Sequence, residues 1–390
     1  MATKVSPPDE LPVEVLREME ALNTEAAKFS IWLRTQPNSP VQRPWHVGET
    51  GRPPVAPGAV IPSHPKAVPH VWRWKDIEPY LYRVAELCPL EFTERQQFLL
   101  VNPGLPTGIK VTNTIRVAVS IYGPDDNAET HLHTPNASRT ILSAGGGYTI
   151  VEGEKFHAER GDLILTPNGT WHGHGNDGAE PIIWMDVLDW PLLDYLDCIW
   201  IRRDYDESKP NEPPKPEGYS QQLYGKGGVV PRFVPDRRGV GVDVSPMFQY
   251  RGTATREALH AMRDTDGSPY EGVIVEFVNP VDGHPVFPTL TYKAQLLRPG
   301  EKTLPFRHTA SAMYVVLEGT GYTEVDGKRL EWSENDFFVI PNHMWRRHVN
   351  LDVHKDAVIY QVTDEPLLKK ISQYRAQGRN RDGAVVNLDA

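Results

Sequence analysis

Residues 145–176, GGGYTIVEGEKFHAERGDLILTPNGTWHGHGN, and residues 319–350, GTGYTEVDGKRLEWSENDFFVIPNHMWRRHVN, align without a gap. Gly147/Gly321, Tyr148/Tyr322, Gly153/Gly327, Asp162/Asp336, Pro167/Pro341, Trp171/Trp345, His174/His348 and Asn176/Asn350 coincide at one constant offset. Self-similarity of this kind means that the chain holds two copies of one structural unit. Upstream, His133-Thr134 matches His308-Thr309 after a one-residue shift, and RPGE (298–301) stands where GPDD (123–126) stands in the first copy. The unit itself reads as β structure. In VTNTIRVAVSIYGPDD (111–126), RTILSAGGGYTIVEGEKF (139–156), GDLILTPNG (161–169) and EPIIWMDVLD (180–189), short β-branched and aromatic runs are punctuated by Gly, Pro and Asp, the pattern of a small antiparallel barrel or jelly roll.

Working outward, residues 10–34 place Leu11, Val15, Leu16, Met19, Leu22 and Ala26 at helical spacing, which predicts an amphipathic helix. Residues 37–69 are dense in proline, which neither propagates a helix nor sits in a central strand, so an extended arm is expected there. DESKPNEPPKPEG (206–218) has the composition of a linker, and TREALHAMRD (255–264) reads as a short helix. The expected organisation is helix and arm over 1–69, a first barrel carrying the site over 70–203, a linker over 204–250, a second barrel over 251–368 and a tail over 369–390.

Composition narrows the function classes. The formal charge of −10 comes without any Lys/Arg-dense stretch, which excludes a phosphate-tracking surface and so a nucleic-acid partner. Cys88 and Cys198 are the only cysteines, too few for a disulfide framework and in keeping with a reducing compartment. The opening MATKVSPPDELPVEVL lacks the basic and apolar regions of a signal peptide, and no apolar run is long enough to span a bilayer. A soluble cytoplasmic protein without membrane contact is expected.

The chemistry lies in two histidine doublets, His131-x-His133 and His172-x-His174. On a strand, residues two apart share a face, here the barrel interior. Imidazoles from two strands converging there suit Fe, Zn, Cu or Ni. His131, His133 and His172 are the expected metal ligands, with His174 left for substrate. The second copy is an internal control: Phe306 replaces His131 and Arg346 replaces His172, leaving only His308 and His348. One ligand of three does not hold a catalytic ion, so the first barrel is the working site and the second a degenerate scaffold. No Asp or Glu stands between His133 and Arg139, so a three-histidine set leaves open positions on a six-coordinate ion, which suits a bidentate substrate together with dioxygen.

With HLHTPNASR (131–139) and GDLILTPNGTWHGHGNDGAEPIIWMDVLD (161–189) in the first copy, the sequence resembles the gentisate/salicylate/1-hydroxy-2-naphthoate family of ring-cleaving dioxygenases. These are proteins of two tandem cupin (double-stranded β-helix) barrels. The likeness extends to VPHVWRWKDIEPYL (68–81), ERQQFLLVNPG (94–104), NPVDGHPVFPTLTYKAQLLRPGE (279–301) and RHTASAMYVVLEGTGY (307–322). The resemblance implies one Fe(II) per subunit on His131, His133 and His172. It implies an aromatic acid with an ortho hydroxyl as substrate, O2 as co-substrate, cleavage between the carboxyl- and hydroxyl-bearing carbons, and a homotetramer. It assigns Arg95 as a substrate-binding arginine. Arg139, six residues after His133, falls on the same face, where its guanidinium can grip a carboxylate. His174 is expected to hydrogen-bond the iron-bound oxygens and move a proton, with Asp186 orienting it.

Where the family shows a Trp-x-Gly-x-Gln pattern, this chain has Arg116, Ala118 and Ser120. These side chains are expected to line the pocket, with Arg116 meeting an additional polar substituent on the ring. Thr140 and Ser143 also depart from the family pattern, and WPLLDYLDCIWIRRDY (190–205) is unusually aromatic. Competing readings are another cupin metalloenzyme, such as a flavonol-type dioxygenase or a decarboxylase, and a non-catalytic ligand-binding bicupin. The missing carboxylate ligand argues against the first, and loss of ligands in the second barrel alone argues against the last.

Overall fold

In the strand Arg116–Tyr122 the side chains of Val117, Val119 and Ile121 leave on one face and those of Arg116, Ala118, Ser120 and Tyr122 on the other. That alternation, repeated in both copies, builds the molecule. The computed structural model describes residues 11–33, 66–93, 95–143, 145–210, 212–227, 229, 231 and 244–388. The first copy forms a seven-stranded sheet in the order Ile31–Leu33, Gln97–Leu100, Arg116–Tyr122, Ile182–Leu188, Ala137–Ile141, Leu163–Thr166, Gln249–Tyr250. It faces a five-stranded sheet in the order Ile201–Arg202, Asn127–His133, His172–Asn176, Gly147–Val151, Glu154–His157. The second copy pairs two six-stranded sheets in the same way. The fold is mainly β, two jelly-roll barrels of facing sheets that do not close into continuous cylinders.

The seven-stranded sheet of the first barrel and the six-stranded sheet of the second that contains Ala312–Glu318 share one core. Val117, Val119, Ile121, Leu165, Ile183, Met185 and Val187 of the first barrel lie in a single buried cluster with Leu296, Met313, Val315, Leu317, Val358 and Val362 of the second. Their other faces line the barrel interiors, with Ile141, Ile164 and Trp184 inside the first and Ala312, Tyr314, Val316 and Ile359 inside the second. Both faces of these strands are therefore buried, which is why their sequences run almost continuously apolar.

Each barrel also takes one strand from the segment that leads into the other. His70–Trp72, which precedes the first barrel, pairs with Phe337–Ile340 of the second. Gln249–Tyr250, which precedes the second, pairs with Leu163 and Ile164 of the first. A helix follows each exchanged strand, Trp74–Leu87 and Gly252–Ala261. Their first amides donate to the repeat aspartates at matching distances, Trp74 N to Asp336 Oδ1 at 2.7 Å and Gly252 N to Asp162 Oδ1 at 2.7 Å. A carboxylate at a helix N-terminus is satisfied by both the free amide and the helix dipole, which accounts for aspartate in both copies.

Three readings change in detail. The N-terminal helix is Val13–Ala27, not 10–34, because Ser30 takes φ 59° and turns the chain into the strand Ile31–Leu33, which pairs with Phe98, Leu99 and Leu100. The short helix expected over 255–264 is Gly252–Ala261. In the span read as a tail, Ala376–Arg379 and Val385–Asn387 add two strands to the second barrel. Of the proline-rich arm expected over 37–69, residues 37–65 lie outside the described residues.

Candidate active site

The strands Asn127–His133 and His172–Asn176 pair antiparallel with His172 opposite His131. That register sets three imidazoles side by side: His131, His133 and His172 offer ligand atoms within 4.8 Å of one another, all buried. A β-bulge shifts the register between His172 and His174, so that His174 lies opposite Ala128. Gly175 makes this strand possible, since a Cβ there would stand 2.4 Å from the Tyr148 hydroxyl.

Each of the three rings is oriented by its own backbone. Nδ1 of His131 lies 3.0 Å from Glu129 O, that of His133 2.8 Å from Pro135 O, and that of His172 2.9 Å from Thr170 O. A carbonyl only accepts, so each Nδ1 carries the proton and each Nε2 keeps its lone pair, the arrangement that metal-binding histidines require. His172 Nε2 is buried with no hydrogen-bond partner. An orphaned buried acceptor of this kind is accounted for by an ion, and three imidazole nitrogens are a donor set that fits Fe(II). Burial, reinforced by the neighbouring histidines and by Arg95 or Arg139, holds His131 and His172 well below the usual imidazole range, so both are neutral and ready to ligate.

His174 behaves differently. Its Nδ1 lies 3.1 Å from Thr149 Oγ1, and its Nε2 accepts from Arg139 Nη2 at 2.5 Å. Burial and then the Arg139 charge keep it neutral. The Arg139 guanidinium is fully buried among Asp186 (Nε to Oδ1, 3.2 Å), Thr166 (3.3 Å) and His174. Asp186 in turn accepts from Ser120 Oγ at 2.5 Å and Trp184 Nε1 at 3.1 Å. The expectation that Asp186 orients His174 is thus corrected: it acts on Arg139, and reaches the imidazole only through that guanidinium.

The remaining expected residues converge on the same cavity. Arg95 Nη2 lies 3.2 Å from the ring nitrogens of His131. Arg116, Ala118 and Ser120 line the wall, and Arg116 stacks over Trp190 with 5.0 Å from Cζ to the ring centroid. Four arginines, Arg95, Arg116, Arg139 and Arg203, face the single carboxylate Asp186 across this cavity, an electrostatic setting for an anion. Thr140 and Ser143, by contrast, are absent from its lining. With the side chains as they stand, the space measures about 60 Å³, far below the roughly 300–1,000 Å³ of a ligand pocket. Admission of an aromatic ring therefore requires Arg116, Trp190 or Arg203 at the mouth to swing aside.

Gln97, Leu99, Trp190, Ile201 and Arg203 also line the site and were missed. Gln97 and Leu99 were legible, since they continue the alternation begun by Arg95. Trp190, Ile201 and Arg203 belong to the aromatic segment after the last barrel strand. There Ile201 pairs with His133 and Thr134 N donates to Trp200 O at 3.1 Å, a tertiary closure that no local pattern announces.

Residues 118–188 and 294–362 each match the Cupin domain family. The chain is 36% identical over 315 residues to a 5-aminosalicylate 1,2-dioxygenase of a Comamonas species, covering 79% of this chain and 81% of that protein. It is 31% identical to gentisate 1,2-dioxygenase 1 of Aquipseudomonas alcaligenes, covering 82% and 90%. Among solved structures, salicylate 1,2-dioxygenase from Pseudoaminobacter salicylatoxidans, with gentisate, superposes with a TM-score of 0.73 at 28% identity, covering 82% of this chain and 87% of that one. On the paired cupin barrels, the histidine triad and these relatives together, the chain belongs to the gentisate/salicylate family of cupin ring-cleaving 1,2-dioxygenases, oxidoreductases that open aromatic rings.

Proposed function

We propose that the chain is an Fe(II)-dependent dioxygenase acting on an ortho-hydroxylated aromatic carboxylate of gentisate, substituted-salicylate or 1-hydroxy-2-naphthoate type. The ring opens between the carboxyl- and hydroxyl-bearing carbons with incorporation of O2. The observation that carries this reading is the convergence of three correctly protonated imidazoles beneath a wall of four arginines. His131, His133 and His172 would hold the ion, which when bound supplies a site where substrate and O2 meet and exchange electrons.

The chain's own groups do the rest. Arg95 and Arg139 draw in and orient the carboxylate. As Arg139 turns toward that carboxylate it releases His174 Nε2, whose lone pair then accepts the proton of the ring hydroxyl while Thr149 fixes the opposite edge of the imidazole. Asp186 holds Arg139 in place. Arg116, where the family places an aromatic residue, is set to meet a polar group on the ring, and the likeness to a 5-aminosalicylate dioxygenase supports a substituted salicylate. The reading extends to a cytoplasmic homotetramer. Cys88 and Cys198 are both free, in keeping with a reducing compartment, and exposed Tyr195, Leu196 and Trp200 offer an apolar face to a second copy.

The test is oxygen uptake by anaerobically Fe(II)-loaded protein with gentisate, salicylate, 5-substituted salicylates and 1-hydroxy-2-naphthoate. One O2 consumed per substrate, with the ultraviolet absorbance of a ring-opened oxo-acid, is the expected result. No uptake with any of them from protein carrying one iron per chain would refute it.

A further inference from the structure

One hydrogen-bonded motif ties the barrels together twice, once in each direction. Asp189 and Asp364 both follow the last strand of their barrel, Ile182–Leu188 and Ala357–Thr363, and both begin a short helix, Trp190–Tyr195 and Glu365–Lys370. An aspartate in that position ordinarily accepts from the first free amides of its helix. Neither does so here. Asp189 Oδ1 instead takes the backbone amide of Asn136 at 2.8 Å, as Asp364 Oδ1 takes that of Ser311 at 2.8 Å. The other oxygen of each carboxylate meets a threonine of the opposite barrel. Thr289 Oγ1 donates to Asp189 Oδ2 at 2.5 Å, and Thr114 Oγ1 donates to Asp364 Oδ2 at 2.6 Å. Thr114/Thr289, Asn136/Ser311 and Asp189/Asp364 are spaced as His133 and His308 are, so the motif belongs to the repeat.

In the first barrel both contacts fall beside the mouth of the site. Asp189 immediately precedes Trp190, and Thr114 stands two residues before Arg116. Trp190 and Arg116 are the two side chains that stack across that mouth. The groups that hold Asp189 and Thr114 from the far side, Thr289 and Asp364, both come from the second barrel.

The segment that Asp189 begins has few other ties. Thr134 N donates to Trp200 O and Thr134 Oγ1 to Cys198 O, each at 3.1 Å, while Tyr195, Leu196 and Trp200 are exposed. Sparse burial of this kind marks low local stability. Asp189 itself is buried, and burial pushes its carboxyl up to about 6 while Thr289 and Asn136 favour the ionised form. At neutral pH it is a buried acceptor, and Asn136 Nδ2, at 2.9 Å, is its only other side-chain donor. Loss of the threonine hydroxyl would leave it short of a partner.

We infer that the second barrel, through Thr289, positions the Trp190–Arg116 gate of the first and so sets how large a ring is admitted. The choice of ring rests on the dioxygenase reading; the hold on the gate does not. Thr289 is thus a positioning residue that acts from outside the cavity, through Asp189.

Thr289→Val removes the donor and keeps the shape. The amides of Leu192 and Leu193 donate to Asp189 O and that of Leu196 to Leu192 O. In hydrogen–deuterium exchange of the full-length protein, all three are expected to exchange about tenfold faster in Thr289→Val, the loss of one hydrogen bond to a charged group. Thr289→Ser is expected to restore the wild-type rate. Tyr360→Phe is the matched control, because it removes another single hydroxyl contact between the barrels, Tyr360 Oη to Gly161 O at 2.9 Å, and neither residue lines the cavity. It is expected to leave the three amides unchanged. In turnover, the effect of Thr289→Val is expected on KM for 1-hydroxy-2-naphthoate rather than on kcat. Should Thr289→Val not fold, Thr289→Ala also lacks the donor and carries the same expectation. Unchanged exchange at these amides, or acceleration no greater than in Tyr360→Phe, overturns the inference whether or not the wild type turns over any substrate, so its failure is separate from that of the dioxygenase reading.

Discussion

Replacing Asp186 with Asn isolates the electrostatics of the site while sparing its shape. The Arg139 Nε to Asp186 Oδ1 distance is 3.2 Å, and both side chains are buried. At an effective dielectric of about 20, that separation corresponds to about 5 kcal/mol of attraction. Removing one partner of a buried pair costs about 3–5 kcal/mol, because the other charge stays behind unpaired. Burial pushes the Asp186 carboxyl upward, but Arg139, Ser120 and Trp184 all favour its ionised form. Asn keeps one acceptor and presents an amide to Ser120 Oγ, a donor to Asp186 in the native site. The expected loss is therefore about 3–5 kcal/mol in urea unfolding of the metal-free protein at neutral pH, read as a lower midpoint at unchanged slope. Fe(II) stoichiometry of the loaded variant is expected to equal that of the wild type, since Asp186 is not among the ligands. A loss below about 1 kcal/mol would refute the view that this pair anchors the guanidinium in the site.

Other outcomes follow from the same geometry. His172→Ala removes one of three ligands and is expected to reduce bound iron to background by elemental analysis, with its circular dichroism intact; retained stoichiometric iron would overturn the ligand set. Trp190→Ala removes the ring under Arg116 at the mouth and is expected to raise kcat/KM for 1-hydroxy-2-naphthoate relative to salicylate at least tenfold, about 1.4 kcal/mol; an unchanged ratio would exclude this residue from gating. Burial and the Arg346 charge push His348 down to about 3 from its usual 6.5. The unfolded chain therefore takes up a proton that the folded one refuses, so stability is full above about pH 6.5 and falls as the pH drops toward 3, by about 1.4 kcal/mol per unit. His348→Gln is expected to lessen the loss between pH 7 and pH 5 by about 2 kcal/mol in urea titrations at the two pH values, and an unaltered difference would count against a neutral buried imidazole.

The repeat and the two doublets carried most of the fold and the metal site, because both rest on local regularities: a fixed offset between copies, and a spacing of two on strands. Arg116, Ala118 and Ser120 were placed in the cavity by the family pattern they replace, and they line it together on one strand. What stayed hidden depends on partners distant in sequence. His70–Trp72 and Gln249–Tyr250 are only three and two residues long, too short for any pattern, and their pairing is fixed by Asp162, Asp336 and the helices that follow. The contact between Arg139 and His174 joins strands of the two facing sheets, 35 residues apart in sequence, which no local pattern announces. Arg203 enters the site only because Ile201 joins the edge of the strand carrying His133.

The exchanged strands have a consequence for how such a molecule can be divided or inherited. A fragment beginning at residue 244 would carry every residue that matches the second Cupin domain and yet expose the edge of Phe337–Ile340, while the fragment left behind, deprived of Gln249–Tyr250, would expose the edge of Leu163–Thr166. Each half would present an unsatisfied template for strand addition, and two halves made separately would tend to swap or aggregate before they paired. Loss of the second barrel would bare the apolar face that the first barrel buries against it, a constraint that falls on its sheets and not on the positions that match the first barrel's metal ligands. The catalytic half is free to change substrate only because the other half is not free to leave.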